Sequence, residues 1–230
     1  MSAPRAVLME LEGVLVETYD ARRTALLRAL ADDGISISAL DYDDVAHGLP
    51  VRGAVRAAIA SAEEHMDETG VELVALRAER YFAESAATGV MLTDGARDAL
   101  AALHAVARLG LVTRAARREV EPVLDAADAS FIFECIVTAD DVPDRPKPDP
   151  ASYLSAVGRL ERRRAILPRE AIALEDARSG IRSARGAGLR CLAVGSVPAF
   201  RALDADGYLP TLRGATLESL DAAGGGEGRG

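Results

Sequence analysis

Five short apolar runs rich in Val, Ile and Leu punctuate this chain: AVLMEL from Ala6 to Leu11, LGLVT from Leu109 to Thr113, IFECIVT from Ile132 to Thr138, AIALE from Ala171 to Glu175, and LRCLAV from Leu189 to Val194. Each has the length of a strand, and amphipathic stretches of helical length lie between them, as in Ala115 to Ala126 and Ala177 to Ala187. Strands this apolar need cover on both faces, and strands that alternate with helices read as βαβ units, so the pattern predicts a buried parallel sheet. Gly186 and Gly188 supply stop signals for the second of those helices. A chain of 230 residues with 49% hydrophobic content has ample material for such a core. One interval breaks the rhythm. About a hundred residues separate the first run from the second, too many for one crossover helix, and 18 to 88 reads as helix throughout, with turn signals at Asp32-Asp33-Gly34, His47 to Pro50 and Thr69-Gly70. The expected fold is therefore α/β: a Rossmann-like doubly wound parallel sheet core from 1-16 and 90-222, an α-helical subdomain inserted at 17-89, and a disordered tail at 223-230.

Charge and composition exclude several classes of function. A formal charge of -9 argues against a nucleic-acid partner, which needs a clustered basic face. The Arg162-Arg163-Arg164 run is read as a solvated helix end. No apolar run approaches membrane-spanning length, and the first residues lack the long apolar core of a signal peptide, so a cytoplasmic protein, monomer or homodimer, is expected. Cys135 and Cys191 stand in apolar stretches without metal-ligand spacing and are expected as buried free thiols. Arginine outnumbers lysine 26 to 1, and the one lysine is Lys147.

In a doubly wound sheet the ligand crevice lies beyond the carboxyl ends of the strands. There the runs end in Glu10-Leu11-Glu12-Gly13, in Thr113, in RPKPDP around Lys147, and in Glu175-Asp176. Period two places Glu10 and Glu12 on one face. Carboxylates, an ammonium and a hydroxyl at successive strand ends suit Mg²⁺, which takes hard oxygen ligands, together with a phosphoryl group held by Lys147 and Thr113. A carboxylate in such a cluster could attack phosphorus or activate water. Proline on both sides of Lys147 is expected to hold the backbone extended and aim the side chain.

These segments resemble the motifs of the haloacid dehalogenase-like superfamily, in its β-phosphoglucomutase-like phosphatase branch with a helical cap. ELEGVLVET is similar to the first motif, LGLVTRA to the second, RPKPDP to the third, and AIALEDARSGIRSARGAGLRCLAV to the fourth. The resemblance implies that Glu10 is the nucleophile and Glu12 the general acid and base. It implies that Thr113 and Lys147 bind the phosphoryl group, and that Glu10, Glu12 through its carbonyl, Glu175 and Asp176 hold Mg²⁺. The cap would select the leaving group of a small phosphorylated metabolite, which makes His47 and Arg52 of the loop HGLPVRG, and Arg56 just after it, candidates for substrate binding. Arg114 stands where many relatives have Asn, and is read either as a recognition group for a second anion or as solvent-facing.

The family has Asp at both leading positions, and this chain has Glu at both although Asp is abundant elsewhere, 19 residues against 17 Glu. One extra methylene moves each carboxylate by more than an ångström, and a misplacement of about 1 Å can cost on the order of a hundredfold in rate. The expected function is a Mg²⁺-dependent phosphohydrolase, slowed by this change. The alternative is a catalytically inactive relative that binds a phosphorylated ligand or a protein partner. A dehalogenase proper is disfavoured, because Glu12 keeps an acid where those enzymes lack one.

Overall fold

The computed structural model describes residues 4–46, 49–162, 166–195 and 204–225. By internal contacts the chain divides into two units, one of Met1–Glu17, Met91–Arg117 and Asp128–Gly230, the other of Thr18–Val90 and Arg118–Ala127.

The first unit is built on a sheet. Strands β1 (Ala6–Met9), β4 (Arg108–Val112), β5 (Cys135–Val137), β6 (Ala171–Glu175), β7 (Arg190–Val194) and β8 (Gly207–Leu209) lie in the order β5-β4-β1-β6-β7-β8, and all neighbours run parallel. A small antiparallel pair, β2 (Val16–Glu17) with β3 (Met91–Leu92), stands apart from it. Ala6 and Leu8 pack with Tyr153, Leu160 and Ile181 from helices α7 (Ala151–Glu161) and α8 (Arg178–Gly186). Val7 and Met9, which point the other way, are just as buried, as a sheet covered on both faces requires. All five expected strands are present. β8 was not foreseen: it is a three-residue edge strand without an apolar run to announce it. Cys135 and Cys191 are buried and are not joined in a disulfide.

The second unit is helical: α1 (Tyr19–Ala31), α2 (Ala39–Ala46), α3 (Val51–Ser61), α4 (Glu68–Ala86) and most of α6 (Arg117–Ala126). The break expected at Thr69-Gly70 lies instead just before α4. Asp67 caps that helix by accepting the Gly70 N–H at 2.7 Å, so a first-turn glycine whose N–H has no intrahelical partner serves the cap and does not end the helix. The helix Leu217–Gly224 runs into the stretch expected to be a disordered tail, whose remainder from 226 lies outside the described residues, as do Arg163 and Arg164 of the arginine run. Among the described residues no helix is long and apolar enough to cross a membrane.

The helix α6, expected from its place between strands to belong with the core, falls largely in the helical unit, where it buries Val120, Val123 and Leu124 and carries two ion pairs. Arg118 pairs with Glu79 of α4, and Arg22 of α1 pairs with Glu119. The Glu79 side chain is completely buried. Burial, then the charge of Glu119, pushes its carboxyl up to about 7 against the pull of Arg118. An acid raised on folding binds its proton more tightly in the native chain, so stability is lost as pH rises from the ordinary carboxylate range through 7, by on the order of 3 kcal/mol for this group. Urea melts at pH 5.5 and pH 8 are expected to show a smaller loss for Glu79→Gln than for the wild type; equal losses would mean that Glu79 is ionised throughout.

Candidate active site

The strand order carries the site. β1 has β4 on one side and β6 on the other, so the chain reverses its direction of winding at β1, the switch point at which open α/β sheets bind their ligands. Met9 is level with both Leu111 and Leu174, and the Glu10 N–H continues the ladder to the Leu174 carbonyl at 3.0 Å. One step further along the register, Glu10 comes level with Val112 and Glu175. Residues about a hundred or more positions apart in sequence are thereby set side by side.

Lys147 enters from the loop after β5. The Asp149 N–H donates to the Pro146 carbonyl at 3.0 Å, closing a tight turn whose Lys147–Pro148 peptide is cis. This corrects the expectation of an extended segment: flanking prolines also suit a turn, and the side chain is delivered inward from it. The ammonium donates to Glu10 Oε2 at 2.6 Å, Glu175 Oε1 at 2.5 Å and the Val112 carbonyl at 2.8 Å. An ammonium has three donors, and three protein acceptors engage them. The Lys147 side chain is 2% exposed, that of Glu10 6% and that of Glu175 1%. Burial alone would lower the lysine pKa, but the charges and hydrogen bonds of Glu10 and Glu175 reverse this and hold it above the usual lysine range. Burial would likewise raise Glu10, yet Lys147, the Thr113 hydroxyl and Arg114 hold it below the ordinary carboxylate value. Its other oxygen, Oε1, accepts the Leu11 N–H at 2.9 Å.

Around this centre the expected residues take different places. Thr113 is buried, and its oxygen also accepts the Ala115 N–H at 3.2 Å. Glu12 is half-buried in the loop after β1, where its charge, second to burial, raises the carboxyl of Glu17. Arg114 is half-buried, and its charge pulls down both Glu10 and Asp176. Arg52 and Arg56 of α3 pair with Glu72 and Glu68 of α4 inside the helical unit. His47 lies outside the described residues.

Two features bear on whether a cation fits. Glu175 is raised by burial and by Glu10 against Lys147, and its Oε2 is buried with no hydrogen-bond partner. Asp176 is pushed up to about 8 by burial, then by Glu175 and Glu10. This is a surplus of hard oxygen donors over positive charge. Among the described residues no three acid, His or Cys side chains converge as a cage. A divalent cation here would draw its remaining ligands from main chain, water and substrate, which is the usual habit of Mg²⁺. The donor chemistry fits such an ion.

Glycines make room for these acids. A side chain on Gly13, whose φ is +72°, would overlap the Asp176 carboxylate, and a Cβ on Gly180, in the first turn of α8, would overlap that of Glu175. Gly180→Ala is expected to drive Glu175 from Lys147, lowering stability by about 2 kcal/mol or more and weakening phosphate binding. Thermal melts and calorimetry with orthophosphate check this; wild-type behaviour in both would show that the site gives way freely.

The sequence reading missed Tyr153. Its hydroxyl donates to Glu175 Oε1 at 2.6 Å from the fully buried face of α7. Tyr153, Ala156, Val157 and Leu160 form an ordinary helical stripe, so the pattern reads as core; its nearness to Lys147 in sequence was the available signal.

The chain is similar to known proteins. The family model described as haloacid dehalogenase-like hydrolase matches residues 7–194. The chain is similar to validoxylamine A 7'-phosphate phosphatase of Streptomyces hygroscopicus subsp. limoneus, at 31% identity over 82% of this chain and 84% of that protein. It is similar to protein CbbY of Cereibacter sphaeroides, at 31% identity over 81% and 82%. The crystal structure of CbbY from Rhodobacter sphaeroides in complex with phosphate superposes with a TM-score of 0.80, at 26% identity, covering 95% of this chain and 99% of that one.

Proposed function

This chain belongs to the haloacid dehalogenase-like hydrolase family, and from that premise we propose that it is a cytoplasmic phosphohydrolase of small phosphorylated metabolites, phosphate monoesters or sugar phosphates, working with Mg²⁺. The observation that carries the reading is the buried Lys147 ammonium at the switch point, with Glu10, Thr113 and Glu175 gathered around it. One ammonium among several carboxylates suits a phosphoryl group that arrives together with a divalent cation. Glu10 attacks phosphorus, forming an acyl-phosphate bond as the bond to the ester oxygen breaks. Glu12 delivers a proton to that leaving oxygen, then takes one from the water that hydrolyses the acyl-phosphate. Lys147 and the Thr113 hydroxyl bind and orient the phosphoryl oxygens. Glu10, Asp176 and the Glu12 carbonyl, with Glu175 behind them, would hold Mg²⁺, which when bound supplies positive charge to neutralise the phosphoryl oxygens. The helical unit would serve as the cap that selects the leaving group.

A second reading has its own observation. All three donors of Lys147 are engaged by protein acceptors, one of them Glu10, so a phosphoryl group must displace a partner to reach the ammonium. A catalytically inactive protein that binds a phosphorylated ligand through other groups, or a protein partner, needs no such displacement. The test is phosphate release from a panel of sugar phosphates, sugar bisphosphates and other phosphate esters, with and without Mg²⁺, beside calorimetry with the same compounds. Mg²⁺-dependent release supports the hydrolase. Binding without release supports the second reading, and neither would overturn both.

A further inference from the structure

We propose that Tyr153 is a positioning residue for Lys147, fixing the ammonium through the carboxylate of Glu175 and through its own ring. Three contacts converge on this. The Tyr153 hydroxyl and the Lys147 ammonium donate to the same oxygen, Glu175 Oε1, at 2.6 and 2.5 Å. The ammonium also stands 5.0 Å from the centroid of the Tyr153 ring, within the range of a cation–π contact. Tyr153 itself is 0% exposed, so its hydroxyl has no water to turn to, and a buried donor held by a charged acceptor is a strong constraint on that acceptor.

The local chain explains how the seven residues from Lys147 to Tyr153 suffice to build the clamp. The Lys147–Pro148 turn leads directly into α7, whose first N–H, that of Ala151, is capped by Asp149 Oδ1 at 2.8 Å. The Asp149 carbonyl is tied in turn by the Ser183 hydroxyl of α8 at 2.6 Å. Lysine and tyrosine thus leave the two ends of one anchored turn and meet again at Glu175. Glu175 Oε2 is packed against Gly180 and has no hydrogen-bond partner, so the hydrogen bonds on this carboxylate are all at Oε1. Its orientation therefore depends on what Oε1 receives, from Lys147 and from Tyr153.

The inference rests on the proposed function only in giving Lys147 a phosphoryl group to hold. Its test needs no turnover, because Lys147 is the only lysine in the chain and protein labelled with ¹⁵N,¹³C-lysine reports that one ammonium by NMR. In the wild type the Lys147 ammonium is expected to exchange slowly with water. Tyr153→Phe keeps the ring and its volume and removes only the hydroxyl; it should speed that exchange about tenfold or more, as for one lost hydrogen bond to a charged group, and weaken orthophosphate binding by a similar factor. Placing 4-aminophenylalanine at position 153 restores a donor and should return both readouts toward wild type, and it keeps the test open should the Phe variant fold poorly. A Tyr153→Phe spectrum with unchanged Lys147 shift and exchange would overturn the inference, because a residue that only fills volume would behave in that way. A changed signal with unaltered phosphate binding, or with no binding in the wild type, leaves the positioning role standing and removes the phosphate from Lys147.

Discussion

Lys147→Met is expected to abolish phosphate binding and to cost roughly 3–5 kcal/mol of stability at neutral pH, the range found when one partner of a buried ion pair is removed. The physical reason is what the substitution leaves behind. Glu10 and Glu175 both accept from one ammonium, and without it two buried carboxylates lose the cation that stands between them. Both would then be raised, since burial already opposes their ionisation. The sign follows from linkage. Acids raised on folding destabilise above their ordinary range, so the deficit of Lys147→Met should be largest near pH 8 and shrink as pH falls and the freed carboxylates take up protons. Urea denaturation at pH 5 and pH 8, beside calorimetry with orthophosphate, measures both effects. Lys147→Arg keeps the charge but brings a broad planar group into a space shaped for a point charge; it should recover part of the stability and little of the binding. A Met variant as stable as the wild type at pH 8 would mean that the pair around Lys147 is not ionised in the native protein.

The paired change Glu10→Asp with Glu12→Asp should raise Mg²⁺-dependent phosphate release by about a hundredfold on whichever ester the protein accepts, the scale attached to a placement error of about 1 Å. Glu10 now spans the distance to Lys147 and closes a 2.6 Å contact with it. Drawing that carboxylate back by one methylene breaks the contact and frees one ammonium donor for a phosphoryl oxygen. The wild type, each single variant and the pair belong in one assay, with Lys147→Met added to the pair as the control that should erase the gain. A pair less active than the wild type would show that the rest of the site is fitted to the longer arm and that Glu10 is itself the working nucleophile. Some stability should be lost on the way, because Glu175 is then left as the only carboxylate on Lys147.

Much of this was legible along the chain because it is local. An apolar run of strand length announces itself, and so does a polar residue placed just after it; Glu10, Thr113, Lys147, Glu175 and Asp176 were all marked by that position. What failed was also local, but turned on competition. Thr69-Gly70 has the composition of a turn, yet Asp67 two residues earlier caps the helix and makes use of the Gly70 N–H. The edge strand β8 has too few apolar residues to signal itself, and α6 reads as a core helix until Glu79 and Glu119 find their arginines on it and on α1.

By itself, then, the sequence determined the alternation of strands and helices, the inserted helical segment, and the kinds of chemical group that stand at the strand ends, since each depends on neighbours within a few residues. Only the tertiary structure decided that β4 and β6 both flank β1, that Arg114 acts on the acids, that Tyr153 holds Glu175, and that the Lys147 ammonium is fully engaged by protein acceptors. Those are distances between residues far apart in the chain. The length of a glutamate is a fact of sequence, but whether one methylene closes the site or serves it depends on how far away the packed sheet has placed Lys147.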